Sequence, residues 1–281
     1  MATTGTPDAP GHDSGPDAAP PWPPARQYGV WALQPGGSAG SAALIDALAL
    51  APGDRAVDLG PGTGETGLLA TEQNLYGWTG ICRDQDDADQ LWAAVPSPVT
   101  IAQFGAPAAT GLPDDAATVV ISEGLLFALP AEDKQAVVAE AVRLLRPNGR
   151  LGLHELCVRD AGLSSESTAA VRARLAAPEN GGLHPLTESE WCALVTDAGL
   201  RVEQVAQEPL VLPGVFGILR QFGPRKSVAL LRRARGSGSP AARAQKILAE
   251  QQGRFGAVIL VARRPYVGHL RGARQREVTA G

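Results

Sequence analysis

From residue 54 onward the chain alternates short runs rich in β-branched residues and leucine with longer stretches whose apolar positions recur at helical spacing. That alternation is the pattern of βαβ units and a mostly parallel sheet. It predicts strands at 54–59 (DRAVDL), 77–82 (GWTGIC), 98–104 (PVTIAQF), 117–122 (ATVVIS) and 149–157 (GRLGLHELC). An amphipathic stretch, SAALIDALAL, precedes the first strand. The segment PAEDKQAVVAEAVRLLRP reads as a helix packed on the sheet, opened by Pro130, ended at Pro147 and followed by an Asn148-Gly149 turn. A further helix fits LTESEWCALVTDAGL, opened by the capping pattern Thr187-Glu188-Ser189-Glu190 and closed by Gly199. Two late strands, 201–209 and 255–265, bracket a helical insert at about 213–253.

The flanks lack this periodicity. Residues 1–25 are rich in Pro, Asp, Ala and Gly and predict a disordered leader, and 266–281 form a basic tail. The expected organisation is one domain over 26–265, with order beginning near Tyr28 and Trp31. The insert carries Arg220, Arg225, Lys226, Arg232, Arg233, Arg235, Arg243 and Lys246 against Glu250. It reads either as a lid whose arginines attract an acidic substrate or as a helical hairpin with solvated polar faces.

Composition narrows the function classes. Of the 281 residues 44% are apolar and 19% charged, so most of the chain is able to bury a core. A formal net charge of −4 argues against nucleic acid as a partner. No apolar run approaches the roughly 18 residues of a membrane span, and no signal peptide is visible, so a soluble, cytoplasmic protein without a membrane partner is expected. Cys82, Cys157 and Cys192 are far apart with no metal spacing, which excludes a disulfide scaffold and a zinc site. The abundance of Ala, Gly, Pro and Arg fits a high-GC bacterial gene.

The strongest chemical signal is AVDLGPGTGETG, residues 56–67, between a strand and a helix. Glycines there allow a tight turn and close approach to a ligand, so a nucleotide-derived cofactor fits. Gly62, Gly64 and Gly67 also satisfy the dinucleotide pattern G-x-G-x-x-G, which requires an acid near the end of the second strand, where Cys82, Arg83 and Asp84 stand. A tight turn without a ligand is the third reading.

Asp58-Leu59-Gly60-Pro61-Gly62-Thr63-Gly64 resembles the first motif of the class I S-adenosylmethionine-dependent methyltransferases. Residues 111–130 and 140–156 resemble that family's fourth-strand region and its helix, turn and fifth strand. Within the class the chain is similar to methyltransferase-domain proteins related to quinone-biosynthesis methyltransferases, with Pro35-Gly36-Gly37 before the first helix. The resemblance implies a doubly wound, Rossmann-like seven-stranded sheet, S-adenosyl-L-methionine as cofactor, and methyl transfer to a small-molecule acceptor, as in secondary metabolism. It implies cofactor contacts from Asp58, Gly60, Pro61, Gly62 and Gly64. The family's ribose acid falls on Cys82, beside Arg83, and its adenine-side acid on Ala106. Both are departures; backbone near Ala106 and the Glu123 carboxylate are placed to compensate. Asp58 has a second reading as a turn-stabilising carboxylate, and Asp84 one as the cap of the next helix. The departures keep open a non-methyl reaction of the sulfonium cofactor, and a non-catalytic cofactor-binding protein.

His154 and Glu155 fall at the carboxyl end of the fifth strand, where open α/β sheets bind ligands, and strand periodicity sends them to opposite faces. His154 is the candidate general base, since imidazole titrates near neutrality. It also reads as a hydrogen-bonded structural histidine, and Glu155 as a partner of a nearby donor. Cys157 and Cys192 read as small buried residues, and His184 as a loop histidine that could border the substrate pocket. A homodimer is compatible with this reading.

Overall fold

A computed structural model describes residues 35–62, 64–159, 165–212 and 240–266. The leader, Tyr28, Trp31, Thr63, the basic run 213–239 and the tail from 267 lie outside the described residues. Helix α1 (Gly37–Leu48) leads into β1 (Arg55–Asp58), α2 (Glu65–Thr71), β2 (Gly77–Cys82), α3 (Gln85–Ala94), β3 (Thr100–Phe104) and β4 (Ala117–Glu123). Then come α4 (Ala131–Leu144), β5 (Leu145–Val158), α5 (Ser165–Ala176), β6 (Leu186–Thr187), α6 (Glu188–Asp197) and β7 (Arg201–Pro209). Helix α7 (Pro240–Glu250) and β8 (Phe255–Arg263) complete the described chain.

The sheet runs β3-β2-β1-β4-β5-β8-β7, with the two-residue β6 beside β5. Pairings among the first five strands are parallel, and β8 lies antiparallel between β5 and β7. From β1 the chain builds outward through β2 and β3, then returns to β1's other side with β4. That reversal leaves a crevice beyond the carboxyl ends of β1 and β4, where doubly wound folds bind their ligands.

Both faces of the sheet are covered, so its central strands are apolar almost throughout; in β4 every residue before Glu123 is buried, and the Glu123 side chain itself is only 5% exposed. One face packs Leu44 and Leu48 of α1 with Trp78, Leu91, Val119, Ile121 and Ile259. The other packs Val137 and Leu144 of α4 with Val120, Leu151, Leu153, Trp191 and Leu260.

The structure departs from the periodicity at three places. Helix α4 stops at Leu144, three residues before Pro147, because a proline disfavours helical backbone at the residue before it. The chain passes directly into β5, with Asn148 in the left-handed region at φ 66°. Leu186–Thr187 adds a short eighth strand beside Cys157 and Val158 before Thr187 caps α6 through a full capping box. The described end of the insert, α7, buries Ala244, Ile247 and Leu248, and Arg243 donates to the Glu179 carbonyl. It therefore packs beside the turn at residues 178–180.

Gly67 shows how a pattern glycine is used for packing. A β-carbon there would stand 2.4 Å from the Trp78 ring, so its absence lets α2 settle on β2. Gly67→Ala should destabilise the fold by about 1–3 kcal/mol, as overpacking does. Urea unfolding checks this, with Gly53→Ala, where a β-carbon meets no described residue within 4 Å, as the neutral control.

Candidate active site

The glycine loop leaves β1 at its buried carboxyl end. Asp58, 1% exposed, accepts from the Gly60 amide at 3.1 Å, and Gly64 donates to the Pro61 carbonyl at 2.7 Å. Asp58 thus has the turn-stabilising bond of its second reading. Gly62 and Gly64 sit at φ 51° and 83°, which side chains rarely adopt. A β-carbon on Gly64 would lie 2.7 Å from Ala94, whereas one on Gly62 would meet only the Gly60 carbonyl, at 3.8 Å. Gly64 therefore serves helix packing, and among the described residues nothing crowds the outer side of Gly62. The loop fits a ligand approaching along its backbone.

Beside it, Glu123 ends β4 and its carboxylate gathers three elements. Oε1 accepts from Ser41 Oγ of α1 at 2.6 Å and bonds His154 Nδ1 of β5 at 2.7 Å, while Oε2 accepts from Thr66 Oγ1 of α2. Burial opposes ionisation of Glu123, yet the bonds from His154, Ser41 and Thr66 hold its pKa below the usual carboxylate value. An ionised carboxylate only accepts, so Nδ1 carries the proton in that bond, and Nε2 is the ring nitrogen left facing α1.

His154 is 0% exposed, and its Nε2 has no hydrogen-bond partner among the described residues. A β-carbon on Gly36 would stand 2.8 Å from both Nε2 and Glu208 Oε2; one on Gly40 would be 2.6 Å and 3.1 Å from them. The bare backbone at the start of α1 therefore covers the imidazole, with the Glu208 carboxylate beside it. Ser41, Thr66 and Glu208 were not singled out by sequence reasoning. The only trace was the PGGSAGS run, whose glycines admit the histidine.

Glu155 points to the opposite face, as the period of two requires. Its carboxylate accepts from the amides of Leu125, Leu126 and Phe127 at 3.0–3.3 Å and from Ser122 Oγ at 3.3 Å. Burial pushes its pKa up to about 7 against these bonds. On the same side Lys134, 2% exposed, is lowered by burial to about 8. His184 donates its amide to the Phe127 carbonyl at 2.6 Å, and burial lowers its pKa. Cys157 is buried, and burial raises the Cys192 thiol, which makes it a poor nucleophile.

At the end of β2, Cys82 is 1% exposed within the apolar layer of α1 and α3. Asp84 caps α3 by accepting from the Asp87 amide, and Arg83 pairs with Asp84 at 2.7 Å. Ala106 bridges to Ala109 in a tight turn after β3, and the Gly105 amide donates to the Cys82 carbonyl at 3.0 Å. The turn at residues 105–109 is thereby tied by its backbone to the end of β2. Among the described residues no group of three or more metal-ligating side chains is present.

In the unfolded chain Glu155 titrates near 4.5, and in the fold near 7. Between those values the folded state holds more proton, so this group's contribution to stability is lost as pH rises through the window. The unfolding free energy of the native chain should fall between about pH 5 and pH 7 relative to Glu155→Gln. Parallel denaturation curves for the two at both pH values would refute the shift.

A family model described as a methyltransferase domain matches residues 39–205. An uncharacterised protein of Haemophilus influenzae is 28% identical over 116 residues, 38% of this chain, and the match spans only 44% of that relative's length. Among solved structures, the (4+2)-cyclase SpnF superposes with a TM-score of 0.59 at 20% identity, covering 80% of each chain. The YcgJ protein of Bacillus subtilis does so at 0.56 and 17%, covering 82% of this chain and 99% of its own. Geranyl diphosphate C-methyltransferase of Streptomyces coelicolor, in complex with magnesium, geranyl diphosphate and S-adenosyl-L-homocysteine, gives 0.55 and 18%, covering 81% and 79%. At these identities the structural likeness speaks for the fold, and no described helix is long and apolar enough to cross a membrane. With the family match spanning more than half of its residues, the chain belongs to the methyltransferase domain family, that of the class I S-adenosylmethionine-dependent methyltransferases.

Proposed function

We propose that the chain transfers a methyl group from S-adenosylmethionine to a small-molecule acceptor, with His154 as the proton-accepting group. The observation that carries the reading is the Glu123–His154 bond of 2.7 Å between the end of β4 and the residue of β5 paired with it, next to the glycine loop. Asp58, Gly60, Pro61, Gly62 and Gly64 would hold the methionine end of the cofactor. Arg83 and the backbone at Cys82 and Ala106 would flank its nucleoside end. The cofactor supplies an electrophilic methyl on a sulfonium, so the protein's work is alignment and exclusion of water.

Glu123 fixes the imidazole tautomer, and His154 Nε2 takes the proton that a hydroxyl or amine acceptor loses as the methyl arrives. Because Nε2 faces Gly36 and Gly40, an acceptor reaches it only where the first turn of α1 gives way. Geranyl diphosphate, bound by one protein of the same fold, illustrates the size of acceptor such a crevice serves. A small-molecule acceptor of secondary metabolism and a homodimeric assembly remain part of this proposal.

A second reading keeps the fold and the cofactor but changes the chemistry. It is favoured by Cys82, whose buried position leaves no carboxylate where the resembled family holds the ribose, and by the cyclase that shares the fold. In that case the chain either uses the cofactor for a non-methyl reaction or only binds it.

Titration calorimetry with S-adenosylhomocysteine and S-adenosylmethionine, followed by a methyl-transfer screen with labelled cofactor, separates these readings. Binding with label transfer is expected, and His154→Ala should lower turnover by roughly 10²–10⁴ while leaving cofactor binding intact. Absence of binding at millimolar ligand would sink both cofactor readings; binding without label transfer would favour the second.

A further inference from the structure

Glu155 and Lys134, two buried charged side chains on the far face of β5, take no part in the chemistry proposed above, yet both act on one loop. Leu125 to Leu129 follow β4 and include a turn of 3-10 helix at Leu126–Ala128. Glu155 receives the amides at the loop's beginning: Leu126 at 3.0 Å and Leu125 at 3.3 Å on one oxygen, Phe127 at 3.0 Å on the other. Lys134 Nζ donates to the Leu129 carbonyl at its end and stands 5.9 Å over the Trp191 ring. No carboxylate lies within ion-pair distance of Lys134 among the described residues.

Leu125, Leu126, Phe127, Ala128 and Leu129 are all buried, so apolar packing alone would keep them out of water. Hydrophobic burial is non-directional, however, and does not fix where the loop's backbone stands. Three amides converging on one carboxyl group do, since hydrogen bonds are directional. The position so fixed matters to the crevice. The Leu125 methyls lie 3.4 Å from where a β-carbon of Gly60 would be, so Leu125 backs the glycine loop. The same carboxylate accepts from Ser122 Oγ, next to Glu123, which ties the loop to the end of β4.

We propose that Glu155, assisted by Lys134, is a positioning residue for the cofactor: it clamps the Leu125–Leu129 loop so that Leu125 braces the glycine loop in its ligand-binding shape. This rests on the reading that S-adenosylmethionine sits on Gly60–Gly62, and deepens it by naming what holds that surface still.

The test uses the full chain and two readouts. In Glu155→Gln, amide hydrogen exchange without ligand, compared at about pH 8.5 where a Glu155 with a pKa of about 7 is ionised, should quicken roughly tenfold or more at Leu125, Leu126 and Phe127, with β1 and β8 unchanged, as the charge-assisted bonds weaken. Calorimetry should show S-adenosylhomocysteine binding roughly tenfold weaker. Lys134→Met, which replaces a buried ammonium by an apolar chain of similar length, releases the other end and keeps the test available if Glu155→Gln does not fold. It should also weaken binding, and Glu155→Asp, which keeps the charge, should lie between the native chain and Glu155→Gln. Native affinity in every folded variant, whatever the exchange rates, overturns this inference while leaving the cofactor reading intact. Failure of the native chain to bind overturns the cofactor reading, and the positioning role falls with it.

Discussion

Removing a carboxylate from water is costly unless its charge is met by donors, and the Glu123 carboxylate is 5% exposed. Its donors come from three directions: Ser41 from α1, Thr66 from the first turn after the glycine loop, and His154 from β5. Each would leave an unmatched buried charge if it moved away, so the carboxylate sets the mutual positions of helix, loop and strand at the carboxyl end of the sheet. The backbone of α1 comes so close to the imidazole that Gly36 and Gly40 have no room for a side chain. The geometry of the crevice follows from satisfying this one charge.

Strand β5 divides two roles between adjacent residues. His154 turns toward α1 and shares the Glu123 carboxylate; Glu155 turns toward α4 and collects the amides of the following loop. Both faces of the crevice are thereby tied to one strand in the middle of the sheet, paired on each side by β4 and β8. A strand with neighbours on both sides is a stiff place from which to hold a site. The two groups differ in charge preference for physical reasons. Glu123 has strong donors and stays ionised, whereas for Glu155 burial outweighs three backbone amides, and its pKa rises to about 7.

The departures at the nucleoside end take a specific form in space. Cys82 belongs to the apolar layer between the sheet and α1 and α3, and Asp84 is occupied at the start of α3. Arg83 pairs with Asp84 and Asp87 at the exposed start of α3. In the proposed function the grip on the cofactor therefore shifts to the glycine loop and to the Leu125 loop behind it.

Several features were legible in the chain itself because they depend on near neighbours. The order of strands and helices, the capping box at Thr187, the opposite facing of His154 and Glu155 and the cap at Asp84 follow from periodicities of 3.6 and 2 and from local hydrogen bonding. The glycine loop was visible because tight turns need particular residues at fixed spacing. What the sequence left open involves partners distant along the chain. Ser41 and Glu123 are 82 positions apart, Thr66 and Glu123 57, and Glu155 and Leu126 29. No local pattern reports such contacts, because they form only when the sheet order brings β1, β4 and β5 together under α1. Tertiary structure likewise decided which glycines serve packing and which no described residue crowds, and that the His154 imidazole lies beneath a helix whose side chains had to be absent.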